Sequence, residues 1–490
     1  MTPEIFKYLV VSVFVILTFY LSWIGMRKTK DIKSFSIGNK DMNPYLIGIT
    51  MAASISSTAT FVINPGFVYA HGLSAYLHYG VAAPFGILCA FLLITKGFRQ
   101  LGQDKGSLTI PDWIFHRYGS RALSVFFAII NLLSIAFVVL ILVGSGMLMS
   151  NLFGITQFWG LTFTLLFVFS YVLMGGTYAH AYTNTFQGMM MVFISLFLFF
   201  HGFKYFDQGF FASLNQVGAN YAGFFNPESN LYYDFFSVFG SGFIITFALM
   251  LQPHILTKVL YLRSDKDISK FIFSTIGIAF CFGLILFIGF YARLSGLVVE
   301  KQDAVVTQYI IQEFGQGGLG PYLLTFITIT LLAAGMSTLD GILVALSSMV
   351  VKDLYLPFKG NSEQQQQKAL AFSRYVLIAV GVFAYLIALN PPSFVGLFAQ
   401  KGVYGLAAAS FVPILFGVMI KKPIPTWIMG VAAAMGLIIH LVLNIFGGVT
   451  NPAVSSSYAI GSSTVFFLVA NFLTSARKLE VVTESVKTAE

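Results

Sequence analysis

Charged side chains are scarce in this sequence. Asp, Glu, Lys and Arg make up 10% of the 490 residues, whereas a typical soluble domain has about 25%. Hydrophobic residues make up 57%, with 53 Phe and 45 Gly, and the mean hydropathy is +0.82. The outer surface must therefore be as apolar as the core, which is the condition of a protein in lipid. The composition excludes a soluble enzyme and predicts a polytopic membrane protein.

Cysteine and metal-binding patterns are nearly absent as well. Cys89 and Cys281 both lie in apolar runs, so neither a disulfide framework nor a thiolate cluster is available. No two of the seven histidines have metal-ligand spacing on one helical face, and no phosphate-binding GxxxxGKS or GxxxxGKT loop occurs. We therefore expect no organic cofactor, no transition metal and no use of ATP. An ion gradient remains as the driving force.

Thirteen segments are apolar over about the 20 residues that a membrane-spanning helix needs. They are 5–26, 44–71, 74–97, 122–151, 157–175, 181–202, 235–259, 271–296, 321–351, 371–390, 393–420, 425–447 and 454–475. The first lacks a small-residue cleavage site, so we interpret it as a retained helix rather than a signal peptide. The hydrophilic stretch 203–234 is predicted to be a solvated connection, with an external cap as the alternative.

The basic residues predict the orientation in the membrane. Of the 28 Lys and Arg, 23 fall in one alternating set of loops and the C-terminal tail, with Lys258 counted among them. The other five are Lys7, Lys204, Arg293, Lys301 and Lys401. Because cytoplasmic loops are enriched in Lys and Arg, the N-terminus is expected outside, the C-terminus inside and the number of spans odd. The net charge of +9 thus reflects topology and not a nucleic-acid partner.

Asp340 is a carboxylate near the middle of an apolar span. A charge at that depth costs about 3 kcal/mol or more, so such a residue is a functional hypothesis by default. The segment 332–341 reads LAAGMSTLDG, which places Ala334, Ser337 and Thr338 on one helical face. Converging oxygens suit a hard cation. The alternative is that the two hydroxyls bond to carbonyls one turn earlier in their own helix.

Two spans are interrupted by polar residues and proline. Freed carbonyls in such a discontinuous helix must be satisfied by side chains, water or a bound ion; a simple proline kink is the alternative for the first. The two spans lie five apart, as in inverted-repeat transporters, whose broken helices enclose the solute and the ion. The polar residues of the first are Ser54, Ser56, Ser57, Thr58 and Thr60, followed by Asn64, Pro65 and Gly66, and those of the second are Gln252, Pro253 and His254.

Six short motifs occur in a defined order along most of the chain. They are Asn64 to Gly66, Met174 to Gly176, Thr183 to Gly188, Gln252 to Ile255, Ala333 to Thr338 and Lys352 to Tyr355. Each is weak alone, but their order and spacing resemble the sodium:solute symporter family. That family includes bacterial transporters for proline, pantothenate, acetate, galactose and sialic acid.

The resemblance implies an all-α integral membrane fold with a LeuT-like core. That core is a five-plus-five inverted repeat with one extra helix before it and two after it, which agrees with thirteen transmembrane helices. Residues 1–490 then form one transporter domain of the cell (inner) membrane. Its parts are the N-terminal helix 5–26, repeat one 44–202, repeat two 235–420, the two C-terminal helices 425–475 and a cytoplasmic tail 476–490.

The resemblance also implies a sodium site. Carried over by position, its ligands are the carbonyls of Ala53, Ser56 and Ala334 and the hydroxyls of Ser337 and Thr338. Some members have a second sodium site with an Asp where this chain has Asn184. Asp340, one turn from Ser337, is then a candidate to supply the missing carboxylate or to exchange a proton. The alternative is a buried Asp held by local hydroxyls.

The solute site implied by the resemblance lies between the two broken helices and the helix after the first of them. Its candidate contacts are Ser57, Thr60, Tyr79 and Gln252. Ile55, Ile245 and Leu249 stand where the proline transporters carry an Asp and aromatic residues, which disfavours proline. The segments 253–256 and 262–265 resemble the acetate and pantothenate branches, which favours a small organic anion such as a monocarboxylate. Lys401 is the basic residue considered for binding a carboxylate.

The predicted function is sodium-coupled secondary active symport of a small solute by alternating access, with no catalytic residues. The expected partners are a small-molecule solute and the lipid bilayer, with no nucleic acid; a monomer is compatible with the sequence. The alternatives are a proton-coupled transporter of the same fold, a transporter-like solute sensor and a channel. A membrane-embedded enzyme would need clustered carboxylates or histidines, which the sequence lacks.

Overall fold

The computed structural model describes residues 1–359, 363–392 and 394–487, and the regular structure in these ranges is helical throughout. The first α-helices are α1 Pro3–Lys28, α2 Ile32–Ile37, α3 Pro44–Ile55, α4 Asn64–His71, α5 Leu73–Tyr76, α6 Ala83–Asp104, α7 Ile110–Tyr118, α8 Arg121–Ile130, α9 Ile135–Phe153, α10 Gln157–His201, α11 Phe210–Val217 and α12 Ala219–Ala222. They are followed by α13 Ser241–Leu249, α14 Pro253–Leu256, α15 Ile268–Gly283, α16 Phe287–Leu294, α17 Val305–Phe314, α18 Gly320–Met349, α19 Glu363–Ala388, α20 Val395–Met419, α21 Thr426–Ile445 and α22 Pro452–Lys487. Short 3-10 or π-helical turns extend or join them at Ala59–Ile63, Leu77–Ala82, Asn131–Ser134, Gly202–Phe206, Phe236–Gly240, Thr257–Tyr261, Asp265–Asp267, Leu284–Leu286, Gln302–Ala304, Val350–Tyr355 and Leu356–Phe358.

Two spans are bent at the polar interruptions. Pro44–Ile55 meets Ala59–His71 at 53°, and Phe236–Leu249 meets Pro253–Tyr261 at 63°. The second break directly precedes Pro253, because a residue before proline is driven out of the helical region; Gln252 is extended there (φ −69°, ψ 150°). The first break lies in the hydroxyl-rich stretch, whereas Pro65 falls in the first turn of α4. The bend in the first span is therefore not a simple proline kink.

The number of spans depends on how α10 is counted. By length and apolarity the described residues hold ten spanning helices, or twelve with each bent pair taken as one span. One of the ten, Gln157–Phe206, has 50 residues and is interrupted at Gly176 (φ 50°, ψ −129°). At 1.5 Å per residue it is about 75 Å long, more than twice the hydrocarbon thickness of about 30 Å. Two spans in this segment would give thirteen, which stays a prediction.

The helices form a bundle with α18 at its centre. In the most apolar 18-residue stretch of Gly320–Tyr355, 94% of the residues are buried. The same share is 22% for Pro3–Lys28, which lies at the periphery. The peripheral α1 packs closely on α10, since a Cβ added to Gly25 would lie 2.5 Å from the backbone nitrogen of Ala179. Small residues at a crossing allow such an approach in membrane helices.

The segment 203–234 packs over one end of the bundle. Tyr221 donates from its hydroxyl to the carbonyl of Val68 at 3.1 Å, and Asn226 donates from its amide to the carbonyl of His71 at 3.3 Å. The segment therefore covers the junction of α4 and α5, as the cap alternative required. At the other end of the chain, the last helix continues to Lys487, past the predicted start of the tail at 476, and residues 488–490 of that tail lie outside the described ranges.

Candidate functional site

A cavity of about 210 Å³ lies between the two bends. Its described lining contains no Asp, Glu, Lys or Arg. Aliphatic and aromatic side chains form most of the wall, and α6, α9, α13 and α15 contribute part of them. The polar members of the lining are Ser54, Ser56, Ser57, Thr60, Asn64, His78, Tyr79, Thr246, Gln252, His254, Thr338, Gln400 and Tyr404. The cavity therefore suits a small solute with an apolar body and a few hydrogen-bonding groups.

The carbonyl end of α3 is where the candidate ion ligands meet. Because α3 stops at the break, its last carbonyls lack the N–H groups that a continuing helix would supply. The Ser337 hydroxyl lies 2.9 Å from the carbonyl oxygens of both Ala53 and Ala334. The Thr338 hydroxyl donates to the carbonyl of Ser54 at 3.0 Å. Both hydroxyls of α18 thus face the break in α3.

The structure brings three of the five predicted sodium ligands into one group, Ala53, Ala334 and Ser337. The Ser337 hydroxyl is within hydrogen-bond distance of a carbonyl one turn earlier in its own helix and also of a carbonyl of α3. Its position is therefore compatible with both interpretations of the sequence, a hydroxyl bonded within its helix and a ligand of a cation. Thr338 lies beside the group. Ser56 caps α3 and donates its N–H to the carbonyl of Ala52 at 3.0 Å. Among the described hydrogen bonds, none joins Ser56 to α18.

This group fits a sodium ion in its chemistry. The candidate ligands are neutral oxygens, which hard cations prefer. The carbonyl of Ala53 lies at the C-terminal end of α3, where the helix dipole favours positive charge. The Ser337 hydroxyl has one hydrogen and two carbonyls within reach, so one carbonyl is left with an acceptor free for a cation.

A buried polar network continues from this group. The Ser54 hydroxyl donates to the carbonyl of Ser337 at 3.2 Å and accepts from the Asn184 amide at 3.2 Å. Asn184 also donates to the Ser337 carbonyl at 2.6 Å. The ammonium of Lys258 donates to the same Ser54 hydroxyl and to the carbonyl of Thr50, the latter at 3.2 Å. The amino group of Lys258 therefore lies one hydroxyl away from Asn184 and Ser337.

Asp340 is completely buried and is held by α10. Its Oδ1 lies 2.7 Å from Nδ1 of His180, and its Oδ2 accepts from the hydroxyl of Tyr171 at 3.1 Å. Local hydroxyls of its own helix, the alternative raised from the sequence, are not its described partners. Asn184 and Asp340, the candidate second cation or proton site, flank Ser337 but make no direct described contact with each other.

All four predicted solute contacts line the cavity: Ser57, Thr60, Tyr79 and Gln252. Gln252 is 1% exposed, and its Oε1 has no hydrogen-bond partner among the described residues. The Tyr79 hydroxyl accepts from the hydroxyl of Tyr232 at 3.0 Å, which ties the cavity to the cap segment. Lys401, considered for a carboxylate, is exposed and is not part of the described lining.

Sequence reasoning missed several residues of this region. Lys258 was placed among cytoplasmic-loop bases, yet it is 1% exposed, because the chain bends by 63° before Pro253 and the Lys258 side chain packs against α3. His180 was passed over because it forms no metal-ligand pair. Gln400 donates to Tyr79 at 3.3 Å. Its position as a polar residue within the apolar span 393–420 was a signal that could have identified it.

Comparisons with known proteins agree on one family. Residues 35–453 match the sodium:solute symporter family. The sodium/pantothenate symporter of Haemophilus influenzae is 25% identical over 408 residues, 82% of this chain and 82% of that protein. The high-affinity proline transporter PutP of Bacillus subtilis is 25% identical over 390 residues, 75% of this chain and 77% of that protein.

Solved structures share the fold. A Na+-coupled sialic acid symporter in a substrate-bound outward-open state has a TM-score of 0.79 at 16% identity, covering 96% of this chain and 97% of that one. Mhp1, a nucleobase-cation-symport-1 family transporter in a closed conformation, has a TM-score of 0.59 at 12% identity, covering 91% and 96%. These likenesses confirm the predicted all-α, LeuT-like fold. With the match extending over residues 35–453, the chain belongs to the sodium:solute symporter family, whose members couple the transport of a small solute to sodium.

Proposed function

We propose that this protein imports a small organic solute together with Na+ by alternating access. The observation that carries the proposal is the group of oxygens from Ala53, Ala334 and Ser337, which lies at the break of α3, beside the central cavity. Family membership supports sodium as the coupling ion. The named relatives are transporters, which supports transport rather than catalysis.

Sodium would bind through the carbonyls of Ala53, Ser56 and Ala334 and the hydroxyls of Ser337 and Thr338. Because α3 lies in the first proposed repeat (44–202) and α18 in the second (235–420), an ion held by both favours the arrangement in which they are close. A ligand shifts a conformational equilibrium through such a difference in affinity. The two bends, one near the start of each repeat, support this division of the chain.

The solute is proposed to contact Ser57, Thr60, Tyr79 and Gln252 and to be a small organic anion such as a monocarboxylate. Since the described lining holds no Lys or Arg, the negative charge would be met by hydroxyls and by the backbone N–H groups at the start of the Ala59–His71 segment. Such a helix start favours negative charge. The aliphatic part of the wall would receive the apolar end of the solute.

The sodium site is tested by the double variant Ser337→Ala with Thr338→Ala. Sodium raises the melting temperature of a protein that binds it, and the stabilisation grows with the logarithm of the sodium concentration divided by the dissociation constant. We expect the variant to remain folded and to lose at least tenfold in sodium affinity, about 1.4 kcal/mol, together with sodium-dependent uptake. Ser347→Ala is the matched control, since Ser347 is buried on the same helix and its described hydrogen bond goes to the carbonyl of Val344.

Unchanged sodium stabilisation in the double variant would contradict the site. Absence of any sodium effect in the native protein, together with uptake driven by a pH gradient, would favour the proton-coupled alternative. The buried pair of Asp340 and His180 is the observation that supports this second candidate.

A further inference from the structure

Two cavities apart from the central one lie end to end along α1, α9 and α18. On α1 the first is lined by residues between positions 3 and 7 and the second by residues between 11 and 15; on α18 the matching positions are 321–328 and 329–336. Leu152 of α9 lines both, so the cavities adjoin. Together they form one groove, which we call the α1 groove. From position 3 to position 15 of α1 it is about 18 Å long at 1.5 Å per residue, close to the depth of one leaflet, which is half of a hydrocarbon core of about 30 Å.

The outer part of the α1 groove is polar and carries both signs of charge. Exposed Glu4 and half-buried Lys7 line this cavity of about 160 Å³. Among the described hydrogen bonds, the Lys7 ammonium makes one, to the carbonyl of Leu152 at 3.2 Å, and an ammonium has three hydrogens to donate. Thr307 also lines the cavity, is 4% exposed, and its hydroxyl has no hydrogen-bond partner among the described residues. A buried hydroxyl without a partner calls for one, and a ligand in this cavity would supply it.

The inner part of the α1 groove is apolar and opens toward the lipid. Its volume is about 390 Å³, within the range of about 300–1,000 Å³ that is typical of ligand sites. The described lining has no charged side chain, and the Thr164 hydroxyl in it donates to the carbonyl of Gly160 in its own helix at 2.8 Å. Phe163 and Leu166 belong to the lining and are 46% and 57% exposed. A hydrocarbon chain of the bilayer can therefore enter from the side.

We propose that the α1 groove binds one phospholipid of the adjacent leaflet, with a headgroup that carries both a phosphate and an amine, as in phosphatidylethanolamine. The phosphate accepts from Lys7 and Thr307, the ammonium of the headgroup pairs with Glu4, and one acyl chain fills the inner cavity. Charge-assisted hydrogen bonds of this kind are the strong ones. The predicted orientation, with the N-terminus outside, makes this the outer leaflet.

The shape and the charges of the groove favour this ligand over others. A water-soluble solute would leave the inner cavity unused, and a lone hydrocarbon would leave the charged end and the Thr307 hydroxyl unused. A phospholipid without an amine would place its phosphate beside Glu4 with no cation to balance that carboxylate, which is unfavourable. Both ends of the groove are matched by one amphipathic molecule as long as a leaflet is deep.

The bound lipid would act on α18 without entering the central cavity. Leu332 and Met336 line the inner part of the groove. At 3.6 residues per turn they lie on the face of α18 opposite to Ala334 and Ser337. The acyl chain would therefore pack between α1, α10 and the back of α18 and stabilise the bundle there. Lipid binding does not depend on the proposed sodium site and should persist in the variant Ser337→Ala with Thr338→Ala.

Lipid binding to the purified protein tests the headgroup assignment. The full chain is stripped of lipid in detergent and titrated with mixed micelles of dioleoyl phosphatidylethanolamine or dioleoyl phosphatidylglycerol, while native mass spectrometry counts bound lipids. One phosphatidylethanolamine per chain is expected, bound about tenfold more tightly than phosphatidylglycerol. Glu4→Gln should abolish this preference, and Lys7→Gln should weaken both lipids about tenfold. Lys301→Gln, an exposed base outside the groove, is the control and should bind as the native protein does.

A second pair of variants tests the acyl-chain cavity. Val15 lines it, so Val15→Phe should fill the space and weaken phosphatidylethanolamine binding about tenfold. Val13→Phe, at a position of the same helix that is 46% exposed, is the matched control. Native affinity in Val15→Phe would overturn the proposal. Equal affinity of the native protein for the two lipids, or stabilisation by oleyl alcohol as strong as by phosphatidylethanolamine, would also overturn it. Glu4→Gln and Lys7→Gln replace side chains that are not buried, so they keep the test decisive if Val15→Phe does not fold.

Discussion

The hydroxyl of Ser337 contacts backbone carbonyls from both proposed repeats. Its hydroxyl reaches Ala53, 284 positions earlier in the chain, and Ala334 of its own helix at the same distance of 2.9 Å. A serine that bonded only to its own helix would be satisfied without an ion. Here one hydroxyl hydrogen faces two carbonyl oxygens, so hydrogen-bond donors are too few, and this shortage would favour a cation at the proposed site.

Gln252 gives a prediction at the same scale. It lines the cavity, is 1% exposed and has an Oε1 without a described partner. We expect Gln252→Leu to weaken solute binding about tenfold, which corresponds to the loss of one hydrogen bond of about 1.4 kcal/mol. Sodium binding should be retained. Solute-dependent thermal stabilisation at saturating sodium is the measurement.

The control for Gln252→Leu is Gln216→Leu, on the exposed surface of α11. Equal solute affinity in Gln252→Leu and the native protein would remove Gln252 from the solute site. Loss of sodium stabilisation as well would mean that the substitution disturbs the break of the helix rather than a solute contact.

At the scale of elements, the breaks in the helices place the polar groups of the candidate site. The end of α3 leaves carbonyls for Ser337 and Thr338, and Gln252 takes up the extended conformation that turns the chain before Pro253. A third break, at Gly176, divides α10 into a part that packs on α9 and a part that bears His180 and Asn184. Its position decides whether these side chains reach Asp340 and Ser54.

Gly176→Ala is expected to destabilise the protein strongly. The backbone there has φ 50°, which L side chains rarely adopt, and a Cβ would lie 2.4 Å from the ring of Phe35. The conformation alone costs about 1–3 kcal/mol. The melting temperature in detergent is the measurement. Gly277→Ala, at an exposed helical position with open space around it, is the matched control and should stabilise slightly. A native melting temperature for Gly176→Ala would show that the break is not required.

At the scale of the whole molecule, the bundle is built around an almost fully buried α18, with the cavity enclosed by both bent spans. Thr338, beside the proposed sodium group, donates to the carbonyl of Ser54, and Lys258 donates to the hydroxyl of the same residue. A movement that separates α3 from α18 would therefore break the proposed sodium group, because its oxygens come from both helices. This is the physical basis on which ion binding and cavity opening can be coupled.

The membrane topology is the prediction at this scale. In a protein with Cys89 and Cys281 replaced by Ala, single substitutions Asn151→Cys and Asp207→Cys should react with an impermeant maleimide from outside intact cells. Lys266→Cys should react only after permeabilisation. All three positions are exposed. Labelling of positions 151 and 207 from opposite sides would show that Gln157–Phe206 crosses once, and the reverse pattern at all three would invert the predicted orientation.

The sequence by itself determined that the protein lies in lipid, that it is a polytopic membrane protein, and where its apolar helices are interrupted. Apolar runs of about 20 residues can be stable only in lipid, and hydroxyls with proline inside such runs mark where a helix breaks. The spans, both interruptions and the intramembrane Asp340 were therefore predictable, and ordered motifs indicated the family. The four candidate solute contacts were named from the resemblance to that family, and all four line one cavity.

Only the tertiary structure decided which charges meet in the centre. Lys258 contacts Ser54 across 204 positions, and His180 contacts Asp340 across 160. Such pairs depend on how bent helices cross, and helical periodicity carries no information about the crossing. Hydropathy and loop rules also assign a lysine next to a span to the water phase, because that is its lowest free energy in an isolated helix. In the folded bundle, the carbonyl of Thr50 and the hydroxyl of Ser54 replace water as hydrogen-bond partners of Lys258.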